Sequence, residues 1–252
     1  MASFTPTMSD RVQPMGGQRL GGRARQEDAW AVGISGASGV WGLIADGMGG
    51  HAHGDQAAKA AVAAMIPYVT QNPEPHDRWV PWLLRGIEAA DSAVRRITPA
   101  AGRPPGTTLL AAVGQYDHVW IAHVGDSRAY LLHGNHLQPQ TTDMTPAGER
   151  FEAGQATWEE QNTARDSHIL TACLGCGPVA VDCFAVRWEP GDLLVLTTDG
   201  LNPLPLNAWP ALLRSPRPVE AVLEAQAWSD NATVAILPHP LSKAGESRDD
   251  ER

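Results

Sequence analysis

Carboxylates stand beside apolar runs at five places in this chain, and a fold that buries those runs must also place the acids. The segments fall in the order Arg23-Ala24-Arg25-Gln26-Glu27-Asp28, Asp46-Gly47-Met48-Gly49-Gly50-His51, Gly125-Asp126-Ser127-Arg128, Asp199-Gly200-Leu201 and Asp230-Asn231. Each carboxylate lies at or near the end of an expected strand or in a turn. Taken singly, each has a plain alternative: a flexible turn, a solvated loop, a hairpin or a cap. Taken together, they can converge on one cluster of hard cations, because clustered carboxylates repel unless cations neutralise them. An all-oxygen donor set favours Mg²⁺ or Mn²⁺ over zinc. Two such ions can activate water against a phosphate ester.

The apolar pattern supplies the frame. Strands are expected at Trp30–Ile34, Val40–Ala45, Thr107–Gly114, His118–Val124, Arg128–His133, Val179–Trp188, Asp192–Thr198 and Ala232–Leu237. In His118–Val124, Val119, Ile121 and His123 share one face and Trp120, Ala122 and Val124 the other, which suits a strand between two layers. An alanine-rich helix is expected over Gly54–Val69. A second is expected over Arg78–Ile97, with an apolar stripe of Trp79, Trp82, Leu83, Ile87, Ala90, Val94 and Ile97. The Asn72-Pro73-Glu74-Pro75 connection makes them an antiparallel pair. Shorter helices are expected at Pro146–Ala153 and Pro218–Ala227. Mostly antiparallel strands with helices added in pairs give a layered α+β protein.

With 252 residues and no internal linker, the chain reads as one domain over residues 16–240, with tails at 1–15 and 241–252. The last twelve residues have almost no apolar content and are expected to be disordered. A formal net charge of −9 with no Lys/Arg run argues against nucleic acid. No apolar run reaches the ~20 residues that span a bilayer, and Met1–Met15 lacks the regions of a secretory signal. A cytoplasmic protein is therefore the expectation. The three cysteines, Cys173, Cys176 and Cys183, have no second Cys/His pair to complete a zinc site and read as small buried apolar residues.

Six motifs in fixed order carry a resemblance to the metal-dependent protein phosphatases, the type 2C serine/threonine family. They are Arg23 with Glu27-Asp28, Asp46 to His51, Gly106-Thr107-Thr108, Gly125 to Arg128, Asp199 to Leu201, and Asp230-Asn231. The resemblance implies a four-layer α/β/β/α sandwich, two antiparallel sheets flanked by helix pairs. It implies that Asp46 bridges two metals, that Asp199 and Asp230 complete the first site, and that Glu27 and the Gly47 carbonyl serve the second. Asp126, with Asp199, would hold a looser third ion. The cofactor implied is Mn²⁺ or Mg²⁺. Arg23 and Asp46 are the catalytic residues implied, with Arg23 binding the phosphate through its planar fork.

The activity this implies is hydrolysis of phosphoserine and phosphothreonine proteins by a metal-activated water, in a bacterial stand-alone monomer that opposes a Ser/Thr kinase. The Gly-His-Xaa-His-Gly-Asp run at 50–55 resembles phosphatases of type VI secretion clusters. Two alternatives remain open: a pseudophosphatase binding module, and a metal-dependent hydrolase of small phosphate esters. Several departures from the family pattern stand out. Met48 replaces the histidine of eukaryotic relatives, Asp143-Met144 replaces Asp-His, and Trp228-Ser229 replaces Gly-Gly. The chain between Leu201 and Asp230 is short, which puts the helix pair there in question. The polar flap from Asp143 to His168 is expected to govern substrate choice.

Overall fold

A computed structural model of the chain describes residues 13–36, 39–48, 53–71, 78–98 and 104–240. Gly49, Gly50, His51, the Asn72-Pro73-Glu74-Pro75 connection and the C-terminal tail lie outside the described residues, as does the N-terminal tail up to residue 12. The elements run β1 (Met15–Arg19), β2 (Asp28–Ser35), β3 (Gly39–Met48), α1 (Gly54–Thr70), α2 (Trp79–Arg95), β4 (Gly106–Thr107) and β5 (Leu109–Gln115). They continue with β6 (His118–Val124), β7 (Arg128–His133), β8 (His136–Pro139), α3 (Pro146–Glu152), α4 (Trp158–Thr163) and β9 (Asp182–Arg187). The chain closes through β10 (Leu193–Thr197), α5 (Trp209–Leu213), α6 (Pro218–Leu223) and β11 (Ala232–Pro238).

Two antiparallel sheets form. One runs β1-β11-β10-β7-β8 and the other β2-β3-β5-β6-β9, with β4 beside β3. Three apolar layers separate the strata. The buried faces of α1 and α2 meet the second sheet through Met65, Trp79, Leu83, Leu43 and Ala111. The two sheets meet through Ile44, Leu110, Ile121, Leu194, Leu196 and Leu237. The outer face of the first sheet packs on α5 and α6 through Val195, Trp209, Leu213, Val222 and Trp228. The result is the expected α/β/β/α sandwich. β6 is sandwiched as its pattern requires, with Val119 and Ile121 in the central layer and Ala122 and Val124 against the helices.

The helix pair between Leu201 and Asp230 is present but reduced to the short α5 and α6, and α6 stops at Leu223 instead of Ala227. Trp228, standing where the family has glycine, is buried and donates its indole N–H to the Leu223 carbonyl at 2.9 Å. Met15 belongs to β1, so the first strand takes the last residue of the expected tail.

The cysteine reading needs correction. Cys173 and Cys176 are joined as a disulfide across the Leu174-Gly175 turn, with their Cα atoms 5.6 Å apart. Cys173 is buried but Cys176 is exposed. Backbone pairing of Leu174 with Thr107 closes this turn against β4. Cys183 stays a free, half-buried thiol, and burial pushes its pKa up to about 11.

Candidate active site

β2 and β3 run antiparallel with Asp28 directly opposite Asp46. That register sets both acids at the same end of the sheet. The expected strand Thr107–Gly114 breaks at Thr108, and the break serves Asp46. Thr108 donates its backbone N–H to the Asp46 carbonyl at 2.9 Å, and its hydroxyl oxygen accepts the Asp46 N–H at 2.8 Å. The same hydroxyl lies 2.8 Å from that of Ser127, tying the Asp46 strand to the Asp126 turn.

Asp199 starts a single 3-10 turn directly after the buried strand β10. The carboxyls of Asp46 and Asp199 lie within reach of a shared proton. Asp46 is held well above the ordinary carboxylate range, first by burial and then by the charges of Asp199, Asp28 and Asp126. Asp126 is also held well above it by burial and then by Asp199 and Asp143. Burial raises Asp199 too, while the bond from Asp46 opposes the rise. Burial carries Asp28 to about 7, against hydrogen bonds from Thr233 and Thr198. Four acids thus share one low-dielectric pocket, and each makes the others harder to ionise.

Glu27 and Gly47 meet at the start of α1. A Cβ on Gly54 would lie 2.8 Å from Glu27 Oε1 and 2.9 Å from the Gly47 carbonyl oxygen. Only glycine leaves the space in which these two oxygens face one another. Asp230 faces Arg23 in an ion pair, and that pairing raises the arginine pKa, with further contributions from Asp199 and Asp46. Arg23 itself is exposed, at the mouth of the acidic pocket.

Asn231 holds the Arg23 loop. Its Oδ1 accepts the Glu27 N–H at 2.8 Å, and its Nδ2 donates to the carbonyls of Leu20 at 2.8 Å and Arg25 at 3.0 Å. This role was not foreseen, although the Asp-Asn pair in the sequence was its signal. Asp28 and Asp143 were likewise given no part in the site. Asp143 is buried and grips Arg128 with both oxygens, at 2.7 and 2.6 Å. Met144, in place of the family histidine, accepts the Gly125 N–H on its sulfur at 3.3 Å and donates its own N–H to the Gly125 carbonyl at 2.9 Å. His53 lies at the start of α1 with both ring nitrogens shut away from solvent. Met48 ends β3 and carries no proton to donate.

The donors suit a divalent oxygen-seeking cation. Oδ1 of Asp199 is buried without a hydrogen-bond partner, as is Oδ1 of Asp28. Among the described residues, no three His, Cys, Asp or Glu side chains close into a ready cage. The side-chain donors gathered here are all carboxylate oxygens, a set that suits Mg²⁺ or Mn²⁺ better than zinc.

The protein phosphatase 2C family model matches residues 15–237. A serine/threonine phosphatase of Listeria monocytogenes is 31% identical over 216 residues, covering 81% of this chain and 86% of its relative. The Ser-Thr phosphatase MsPP of Mycobacterium smegmatis superposes with a TM-score of 0.75 at 27% identity, over 89% of this chain and 97% of that one. The catalytic domain of the phosphatase PstP, solved with 2 manganese ions, superposes with a TM-score of 0.70 at 28% identity, over 89% and 97%. The chain belongs to the protein phosphatase 2C family of serine/threonine phosphatases.

Proposed function

We propose that this phosphatase hydrolyses phosphoserine and phosphothreonine in proteins with two divalent cations, Mn²⁺ or Mg²⁺, held at the acidic pocket. The observation that carries this reading is the burial of Asp46, Asp126 and Asp199 together, with their pKa values raised and Asp199 Oδ1 left unpartnered. Such a cluster is costly by itself and becomes favourable when cations enter it.

Asp46 and Asp199, already in contact, would hold one cation together with Asp230. Asp46, Glu27 and the Gly47 carbonyl would hold the other, and Asp126 with Asp199 a looser third. The cations supply Lewis-acid activation of water and neutralise charge on the phosphoryl group. Thr108 and the β2–β3 pairing fix the Asp46 backbone, so the carboxylate that would hold both cations is carried on a rigid strand end. Arg23 exchanges Asp230 for the phosphoryl oxygens; its exposure and the Asn231 clamp on its loop support that role. Because every implied ligand is present, an active enzyme is favoured over a pseudophosphatase.

The finer setting is a cytoplasmic monomer, with residues 16–240 as its catalytic unit, that reverses a bacterial Ser/Thr kinase. The run at 50–55 supports a type VI secretion cluster as the pathway, and the genes neighbouring its own test that. The activity itself is tested by measuring kcat/KM on phosphothreonine peptides, nucleotides and sugar phosphates, with Mn²⁺ and with chelator. Peptides should lead, and chelator should abolish all turnover. Small metabolites leading by a wide margin would overturn the protein-substrate reading and leave the metal chemistry standing.

A further inference from the structure

A groove of about 770 Å³ opens from the acidic pocket between the flap and the turn that follows Asp199. Asp199 forms its inner end. Trp158 and Asn162 of α4 form one wall, and the segment from Asn202 to Asn207 forms the other. Arg128 lies at its base, but its charge is spent. Both Asp143 oxygens bind it, Asn162 Oδ1 accepts from it at 2.7 Å, and its guanidinium stacks 4.7 Å from the centre of the Trp158 ring.

Three of the flap charges are consumed inside the flap. Arg150 and Asp166 pair with each other at 2.9 and 2.7 Å. Glu160 closes the capping box of α4 with Thr157. The apolar part of the lining is the Trp158 ring with Pro203, Leu204, Pro205 and Leu206, beside amides, Glu159 and His168. Two prolines in that wall offer no backbone N–H.

We propose that this groove reads the polypeptide beside the phosphorylated residue. A large apolar side chain next to the phosphoresidue seats against Trp158 and Leu206. The proposal rests on the reading of the chain as a phosphoprotein phosphatase and adds which phosphoproteins it prefers. Acidic neighbours are disfavoured, because Glu159 lines the groove and Arg128 is already neutralised.

The test is a set of phosphothreonine peptides in which each neighbouring position carries Leu, Phe, Gly or Glu in turn. Their kcat/KM values are compared with those of free phosphothreonine and sugar phosphates, for wild type, Trp158→Ala and Leu206→Ala. Wild type should prefer Leu or Phe over Gly at one position by about tenfold. Glu there should be the poorest. The Leu-to-Gly ratio should fall to about twofold in both variants. The ratio is taken within one enzyme, so a loss of folded protein does not alter it, and either variant alone suffices. Equal use of all peptides by wild type would overturn the proposal while leaving the phosphoprotein reading intact. An undiminished ratio in the variants would overturn the assignment to this groove. Small phosphates outrunning every peptide would overturn both readings.

Discussion

Asp46, Asp199, Asp126 and Arg23 differ in how many tasks each performs, and that difference ranks their substitutions. Asp46 and Asp199 touch each other and sit in one buried field, so either change to alanine removes a donor common to more than one proposed cation site. Each should lower kcat by at least roughly 10²–10³-fold. Arg23 is exposed and tied to Asp230, so Arg23→Ala should raise KM about tenfold with a smaller fall in kcat. Asp126→Ala should leave the core in place and show a milder defect that depends on metal concentration. Steady-state kinetics across a Mn²⁺ titration separates these outcomes, and a wild-type rate from Asp46→Ala would remove the assignment. These acids were legible because each stands beside glycine or asparagine at the end of an apolar run. Asp143 was not legible: its partner Arg128 lies fifteen residues earlier, and nothing local announces a buried pair. Thr108 stood in the Gly-Thr-Thr motif, but its hold on Asp46 was not legible, since it lies inside what reads as one continuous strand.

Among the elements, a buried ion pair ties the flap to β7. Arg128 leaves the Asp126 turn along β7, and Asp143 opens the flap; both are buried. Removing one partner strands the other charge, so Arg128→Ala or Asp143→Ala should cost about 3–5 kcal/mol in unfolding free energy. Replacing both with apolar residues of similar size should cost much less, because no charge is then left buried alone. Chemical denaturation of the three variants gives the comparison. A double variant as unstable as the single ones would contradict it. Sequence reading found the long strands and both long helices because burial imposes their periodicity. It missed β1 and β8, the edge strands of one sheet, where one side pairs with nothing and the pattern is weak. It missed α4 as well, although Thr157 and Glu160 form the capping box that announces it.

At the scale of the whole molecule, the sandwich brings acids from β2, β3 and the turns after β6, β10 and α6 to one end, and burial makes them expensive. Their folded pKa values lie above those of the unfolded chain. A raised folded pKa favours the fold below the unfolded value and is lost as pH rises through the folded one. The metal-stripped protein therefore loses this contribution as pH climbs from the ordinary carboxylate range to the raised values, with Asp28 passing at about 7. Mn²⁺ removes the penalty, so the gain in Tm on adding Mn²⁺ should be larger near pH 8 than near pH 5. Equal gains at both would show that the acids are not the site. The fold was legible because its layers follow from apolar pattern, and the acidic motifs in order pointed to the same architecture. The cysteine pair was not, because closure of the Leu174-Gly175 turn depends on pairing with Thr107, far away in sequence. The most direct test of the account is calorimetric titration of Mn²⁺ into stripped protein, run in buffers of different ionisation enthalpy and followed by turnover at each point. The account predicts that two cations bind with release of protons, that turnover appears as they bind, and that Asp46→Asn loses both. Full turnover by the stripped protein in the presence of chelator would contradict it.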